Sequence, residues 1–216
     1  MNFAFRSALS ACLCVLSSHA FAASIAVQVS DAAGKPLADV VLYADPEGGA
    51  ATPKQLKAAS IEQRGLKFLP LVTVVQAGSQ ISFPNNDKVR HHIYSFSPAK
   101  KFDQKLYAGV AAAPQVFDKA GTVVLGCNIH DRMVAYVKVV DTPFFAKSDA
   151  EGIARIEVPA AGKYTLNAWH FNMSATATTS MPVTVKAGDA PTPVQFRLAT
   201  KPRAADADMS AAGEGS

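Results

Sequence analysis

The chain has 216 residues, of which 49% are hydrophobic, and this is enough to bury the core of one or two domains. Its 21 Lys and Arg residues against 17 Asp and Glu residues give a formal net charge of +4. Because the basic residues are scattered and form no basic helix, the composition argues against a nucleic-acid partner.

The first 22 residues have the pattern of a secretory signal. Arg6 precedes an apolar stretch from Ala8 to Leu16, and Ala-Phe-Ala at 20–22 offers small residues for cleavage. The apolar stretch is shorter than the roughly 20 residues that span a bilayer, and no later segment is long enough. We therefore expect export to the periplasm through a signal peptide at 1–22, without stable membrane insertion.

Export changes the meaning of the cysteines. Cys12 and Cys14 lie in the expected signal, so the mature chain keeps Cys127 alone. A single cysteine cannot form an internal disulfide, and a leftover thiol in an exported protein needs another explanation. It is either a buried, inert side chain or a metal ligand.

The rest of the chain has the pattern of short strands. Alternating apolar and polar residues predict strands in 24–31 and 37–46, from 60 to 141, and again from 144 to 200. The segment 98–113 is the only place where a short helix is plausible, and the tail at 201–216 is expected to be disordered. Short strands with regular turns and almost no helix predict an all-β fold of sandwich modules.

One loop carries metal-binding chemistry. In "VLGCNIHDRMVAY" (124–136), Cys127, His130 and Met133 recur at a spacing of three. Thiolate and imidazole suit copper or zinc, whereas a thioether is a weak axial ligand of copper and not one of the usual zinc ligands. Two histidines, one cysteine and a distant methionine form the blue-copper site. A zinc site and a domain that binds no metal are the alternatives.

The missing imidazole has two candidates. His91 and His92 follow an Asn-rich loop, and neighbouring residues on a strand point to opposite faces. One of the two is therefore expected to face the metal, and this reasoning leaves open which.

Residues 58–141 resemble the cupredoxins, such as plastocyanin, pseudoazurin and amicyanin. The resemblance is carried by "KFLPLVTVVQAGSQISFPNNDKVRHHI" and "AGTVVLGCNIHDRM", and it covers about 85 residues. The stretch is most similar to bacterial proteins loosely named methylamine utilisation or plastocyanin-like proteins. The resemblance implies a Greek-key β-sandwich with one type 1 copper. The ligands that it implies are His91, Cys127, His130 and Met133.

The resemblance implies His91 because the family's ligand histidine is usually followed by Asn and an aliphatic residue, and "HHI" puts His92 at the Asn position. His92 and Asn86 are then expected to support the ligands or to be alternative ligands. The chain departs from the family at His92, which cannot donate like an amide. It departs again at Asp131-Arg132, where relatives often carry Pro and an aromatic residue, so the rim of His130 is expected to be more polar.

A second module follows at 142–200. "KSDAEGIARIEVPAAGKYTLNAWH" resembles the carboxypeptidase-regulatory-like or transthyretin-like β-sandwich, which is smaller and noncatalytic. The usual opening of such modules, "VQVSDAAGKPLADVVLY", stands instead at 27–43. We therefore hypothesise that strands in 24–46 complete the C-terminal sandwich and that the cupredoxin-like domain is inserted between the two parts.

These patterns predict an electron carrier and not an enzyme. The sequence has no Gly-x-Ser-x-Gly, no phosphate loop and no second set of three histidines. We expect an exported, monomeric type 1 copper protein that carries single electrons between periplasmic partners such as a c-type cytochrome. The alternative is a periplasmic copper-binding or trafficking protein without electron transfer. A third reading is a structural module with a vestigial site. The expected docking residues for an acidic partner, or alternatively a solvated rim, are Lys88, Arg90, Lys100 and Lys101.

Overall fold

The computed structural model describes residues 23–48, 53–107, 113–173, 177–188 and 190–201. The expected signal at 1–22 and all but the first residue of the expected tail lie outside these ranges. The described residues contain strands and no helix, which confirms the all-β class, and they accordingly include no helix of the length and hydropathy needed to cross a bilayer. The strands are β1 Ala23–Asp31, β2 Val41–Pro46, β3 Ala59–Ser60, β4 Glu62–Gln63, β5 Phe68–Leu69, β6 Val72–Gln76, β7 Ser79–Ser82, β8 His91–Ser97, β9 Lys100–Tyr107, β10 Gln115–Phe117, β11 Gly121–Cys127, β12 Val134–Val140, β13 Phe145–Lys147, β14 Ile153–Val158, β15 Gly162–Trp169, β16 Thr179–Val185 and β17 Thr192–Leu198.

The middle of the chain forms one sandwich, called here the inserted sandwich (β3 to β12). Its larger sheet has the order β6-β12-β11-β8-β9, and its smaller sheet has the order β10-β7-β3. β6 pairs parallel with β12, whereas the other three pairings of this sheet, β12 with β11, β11 with β8 and β8 with β9, are antiparallel. Inward-facing side chains such as Phe83, Ile93, Phe117 and Leu125 fill the space between the sheets, because every second residue of a strand points to the same face.

Segments on both sides of the inserted sandwich, within 23–48 and 142–201, form a second sandwich, called here the outer sandwich (β1, β2 and β13 to β17). β1 lies between β14 and β17, and the other sheet has the order β13-β2-β15-β16. Ile25 and Leu42 from the first part share one apolar cluster with Ile156, Leu166 and Leu198 from the second part. These are the pairings that the insertion hypothesis requires, and from them we propose that 24–46 and 142–200 form one domain interrupted by 58–141.

A small apolar cluster joins the two sandwiches. Val41 and Trp169 of the outer sandwich pack with Val72 of the inserted sandwich, and all three side chains are buried. The Tyr136 ring of β12 lies beside Trp169, with their centroids 6.3 Å apart. Lys138 also points its Nζ at the Trp169 ring, 5.4 Å from the centroid. The two sandwiches therefore share an interface at β2, β6, β12 and β15.

The prediction of a short helix within 98–113 is wrong for the described part of that segment. β9 pairs antiparallel with β8, from Ser97↔Lys100 to His91↔Tyr107. The open edge of β8 provides hydrogen-bond partners that an isolated segment lacks, and this tertiary pairing outweighs a weak local helix preference. Residues 108–112 of the segment lie outside the described ranges.

Candidate metal centre

The strand ends of the inserted sandwich bring three potential ligand side chains together. His91 is the first residue of β8, and it is fully buried because the inward face of β8 continues with Ile93 and Ser95. Cys127 is the last residue of β11, with 4% of its surface exposed, and it lies opposite Ile93 in the pairing of β11 with β8. His130 follows in the loop from β11 to β12 and is partly exposed.

The three side chains present their donor atoms to one common point. His91 Nδ1 lies 3.2 Å from His130 Nδ1, and Cys127 Sγ lies 3.8 Å and 3.6 Å from these two nitrogens. A point equidistant from the three atoms is about 2 Å from each, which is close to a metal–imidazole bond of about 2.0–2.1 Å. Two imidazoles and a thiolate at these separations fit a trigonal N₂S site for copper or zinc. In the described part of the chain this is the group of His, Cys, Asp and Glu side chains that could hold a metal ion.

The backbone of the loop fixes both of its ends. The N–H of Cys127 donates to the carbonyl of Met133 (3.2 Å), and the N–H of Met133 donates to the carbonyl of His130 (2.9 Å). The N–H of Asn128 donates to the carbonyl of His92 (3.0 Å), so the loop is also tied to β8. The side chain of Met133 is buried in the same apolar cluster as Cys127. The tie between the two ligand-bearing segments is therefore a backbone bond that needs no amide side chain at position 92.

A carboxylate orients His91 from the other side of its ring. His91 Nε2 lies 2.8 Å from Asp87 Oδ2. Because a carboxylate only accepts, Nε2 carries the proton, and in the neutral ring this leaves the Nδ1 lone pair for a metal. Burial acts to raise the pKa of the Asp87 carboxyl, but hydrogen bonds from His91 and from the N–H groups of Leu66 and Gly65 outweigh it, so that pKa lies below its ordinary value. Asp87 is therefore a residue of the site that the sequence analysis did not predict.

The two residues expected to support the ligands lie elsewhere. His92 points to the opposite face of β8, where its Nε2 contacts Asp103 Oδ1 on β9. The exposed Asn86 donates through Nδ2 to Glu62 Oε1 (2.8 Å). Neither side chain belongs to the group formed by His91, Cys127 and His130. The pleat of β8 explains the position of His92, because adjacent residues of a strand face opposite ways.

The four expected docking residues lie at the two ends of β8. Lys88 and Arg90 precede β8 at the end where His91 lies, and both are exposed. Lys100 and Lys101 pair with Ser97 and Phe96 at the opposite end of β8. Six residues of strand separate the two ends, or about 20 Å at roughly 3.3 Å per residue. The pairs are close in sequence, but the length of the hairpin keeps them apart.

No family model matches the chain, and no curated protein matches it. Solved structures do match, and those described below have low identity. Amicyanin from Paracoccus versutus is 20% identical over 44% of this chain and 92% of its own, with a TM-score of 0.36. A purple cupredoxin from Nitrosopumilus maritimus is 22% identical over 38% of this chain and 99% of its own, with a TM-score of 0.35.

A copper-containing nitrite reductase from Thermus scotoductus SA-01 also matches, with 20% identity over 44% of this chain and a TM-score of 0.37. This chain aligns with 25% of the length of that reductase. At these identities the likeness concerns the fold of less than half of this chain. The case for a metal site rests on the chain's own side chains.

Proposed function

We propose that this chain is an exported type 1 copper protein that carries single electrons, with His91, Cys127, His130 and Met133 as ligands. The observation that carries the proposal is the convergence of two imidazole nitrogens and one thiol sulfur at 3.2–3.8 Å from one another. The buried Met133, which begins the return from the loop to β12, supplies the thioether that favours copper over zinc. Bound copper would supply reversible one-electron chemistry between Cu(II) and Cu(I).

The chain's part in this chemistry is to keep the donor atoms in place. Cys127 and His91 are held by strands, and the ties from Cys127 to Met133 and from Met133 to His130 fix the loop. A donor set fixed in this way changes little between oxidation states, which favours electron transfer. Burial of the thiol and of the His91 ring keeps water away from both groups.

A noncatalytic role follows from the number of donors. Three strong donors and a thioether leave no open position for a substrate, so we propose that the protein is not an enzyme. His130 is the partly exposed member of the group, and Lys88 and Arg90 are exposed at the same end of β8. An acidic patch on a c-type cytochrome in the periplasm would fit this end, because opposite charges steer association. The outer sandwich has the role of a noncatalytic companion.

The test is the absorption spectrum of purified protein titrated with Cu(II). We expect an intense blue thiolate-to-copper band that Cys127→Ser abolishes. His91→Ala should abolish the band too, whereas His92→Ala, its matched neighbour, should retain it. Electron transfer to a c-type cytochrome is then measured by stopped-flow spectroscopy.

Two outcomes would contradict the proposed role as an electron carrier. A colourless complex that takes only Cu(I) would favour the copper-trafficking alternative. A protein that binds neither ion would favour a structural module with a vestigial site.

A further inference from the structure

Asp87 is a carboxylate that hydrogen-bonds to the candidate ligand group, and its partner there is His91. We infer that Asp87 is a positioning residue that fixes the Nε2-protonated form of His91 and, through its charge, stabilises Cu(II) relative to Cu(I). The effect on copper rests on the proposed function. The hydrogen bond between Asp87 and His91 does not, because it is present without metal.

The Asp87 carboxylate is itself held by the backbone of a hairpin turn. Gly65 and Leu66 lie between β4 and β5, and their N–H groups donate to Oδ1 at 2.6 Å and to Oδ2 at 3.1 Å. Both residues are in the left-handed region, with φ of 62° and 57°. Consecutive N–H groups in such a turn converge and form a small anion-binding concavity. The hairpin thus holds the carboxylate in the orientation that His91 needs.

The hairpin turn explains the conformation of Leu66. Gly65 and Leu66 are the two central residues of the turn that joins β4 to β5, which is closed by the N–H of Arg64 donating to the carbonyl of Lys67 (3.1 Å). Two-residue hairpin turns of this type have a positive φ at both central residues. The N–H groups of Gly65 and Leu66 then both donate to Asp87.

The loop that carries Asp87 is fixed from the inside as well. The N–H of Asp87 donates to Asn85 Oδ1 (3.0 Å). Asn85 is buried, and its Nδ2 donates to the carbonyls of Val89 (2.9 Å) and Tyr107 (3.0 Å). The side chain of Asp87 is 12% exposed, and that of His91 is fully buried. The contact between them is therefore set by fixed groups on both sides, in a place that water reaches poorly.

The chemical consequence follows from the charge. A carboxylate that accepts the Nε2 proton makes the imidazole a stronger donor through Nδ1, and hydrogen-bonded partners of this kind are typically worth 10–100-fold in metal affinity. The more highly charged Cu(II) gains more from a stronger donor than Cu(I) does. Asp87 therefore lowers the reduction potential of the site.

The chain provides a matched control on the other face of β8. His92 contacts Asp103 just as His91 contacts Asp87, through Nε2 and one carboxylate oxygen. The Asp103 side chain is 57% exposed and its partner lies outside the ligand group. Asp87→Asn and Asp103→Asn thus remove the same charge from two neighbouring histidines, only one of which presents Nδ1 to the ligand group.

The experiment measures Cu(II) and Cu(I) affinities and the reduction potential of wild type, Asp87→Asn, Asp87→Glu and Asp103→Asn. In Asp87→Asn we expect Cu(II) affinity to fall about 10–100-fold and Cu(I) affinity to fall less. The difference raises the potential by up to about 118 mV, at about 59 mV per factor of ten for one electron. Asp87→Glu keeps the charge and should lie closer to wild type, and Asp103→Asn should match wild type.

A second measurement does not require copper. In the metal-free wild type, ¹⁵N NMR of the histidine rings should show His91 with its proton on Nε2. A proton on Nδ1 would overturn the inference, and this reading does not need the variants to fold. Equal potentials in Asp87→Asn and Asp103→Asn would also overturn it while leaving the proposed function intact. A wild type without a thiolate-to-copper band would instead overturn the proposed function, and NMR alone would then decide the role of Asp87.

Discussion

The two sandwiches share an architecture but differ in what their strand ends carry. Each packs two sheets around an apolar cluster, which includes the fully buried Leu125 in the inserted sandwich and the fully buried Leu166 in the outer sandwich. The cluster of the inserted sandwich includes Cys127 and Met133 at one end, whereas the buried cluster of the outer sandwich is made of aliphatic and aromatic residues. The same packing thus supports a candidate site only in the inserted sandwich, where β8 begins and β11 ends beside a loop that carries a second histidine.

The largest expected effect comes from truncating the two cores. Leu125→Ala and Leu166→Ala should each lower the free energy of unfolding by about 2–5 kcal/mol, because each leaves a cavity in a packed cluster. Leu125 is two residues from Cys127 on β11, so its loss should also weaken copper binding by the folded protein, whereas Leu166→Ala should not. Urea unfolding and copper titration below the transition measure both. Equal weakening of copper binding in the two variants would contradict the expected difference between the two sandwiches.

A smaller effect is expected from removing the hydroxyl groups of two tyrosines, the partly buried Tyr107 and the buried Tyr164. Tyr107 of the inserted sandwich donates to the carbonyl of Phe83 and accepts from Gln63 Nε2, both at 2.5 Å, whereas Tyr164 of the outer sandwich donates once, to the carbonyl of Ala160 at 2.8 Å. Tyr107→Phe removes two hydrogen bonds, although Gln63 Nε2 still reaches the carbonyl of Phe83 (3.2 Å), and should cost about 1–2 kcal/mol. Tyr164→Phe removes one hydrogen bond and should cost about 1 kcal/mol. Chemical denaturation at pH 7 ranks the two.

Tyr107 also makes the stability of the folded protein depend on pH. Burial, opposed by the hydrogen bond from Gln63, raises the pKa of Tyr107 to about 12 from an ordinary value of 10.0. Because the folded state disfavours the phenolate, the stability is fully present below pH 10 and is lost as pH rises from 10 to 12. Metal-free wild type should therefore lose stability more steeply over this range than Tyr107→Phe. Parallel pH profiles would contradict the assignment.

The smallest expected change in stability comes from replacing the thioether. Met133→Leu conserves volume in a buried position and should change the free energy of unfolding by less than about 1.5 kcal/mol. If Met133 is an axial ligand, the blue band and the reduction potential should nevertheless shift, because the axial ligand tunes both. Met181→Leu, on a partly buried methionine of the outer sandwich, is the matched control and should leave the spectrum unchanged. An unchanged spectrum in Met133→Leu would exclude the thioether as a ligand.

Local pattern was sufficient for the fold class, because alternation is a property of each strand by itself. In β8 the burial alternates from His91 to Ser95, as the sequence pattern predicts. β9 was missed because it depends on a partner strand, and a strand's preference for its state comes largely from its neighbours. Local pattern therefore gives the class of structure, and pairing decides the ambiguous segments.

The candidate site was likewise predictable only where it depends on local spacing. The spacing from Cys127 to Met133 is local, and it pointed directly to the loop. The role of Asp87 depends on the turn at Gly65 and Leu66, more than twenty residues earlier in the chain, and no spacing rule connects the two. An acidic residue four positions before His91 was a visible signal, but the sequence alone does not give the direction of a side chain in a loop.

The position of β1 imposes an order of events on a chain that emerges from its N-terminus. Val27 pairs with Ala154 on one side and with Val194 on the other, so its partners are made more than 120 residues later. The strands of the inserted sandwich are complete by Val140. That sandwich can close around its loop while β1 is still an unpaired edge, and such edges invite pairing with other chains. Because its contacts span more of the chain, we expect the outer sandwich to be completed more slowly than the inserted sandwich.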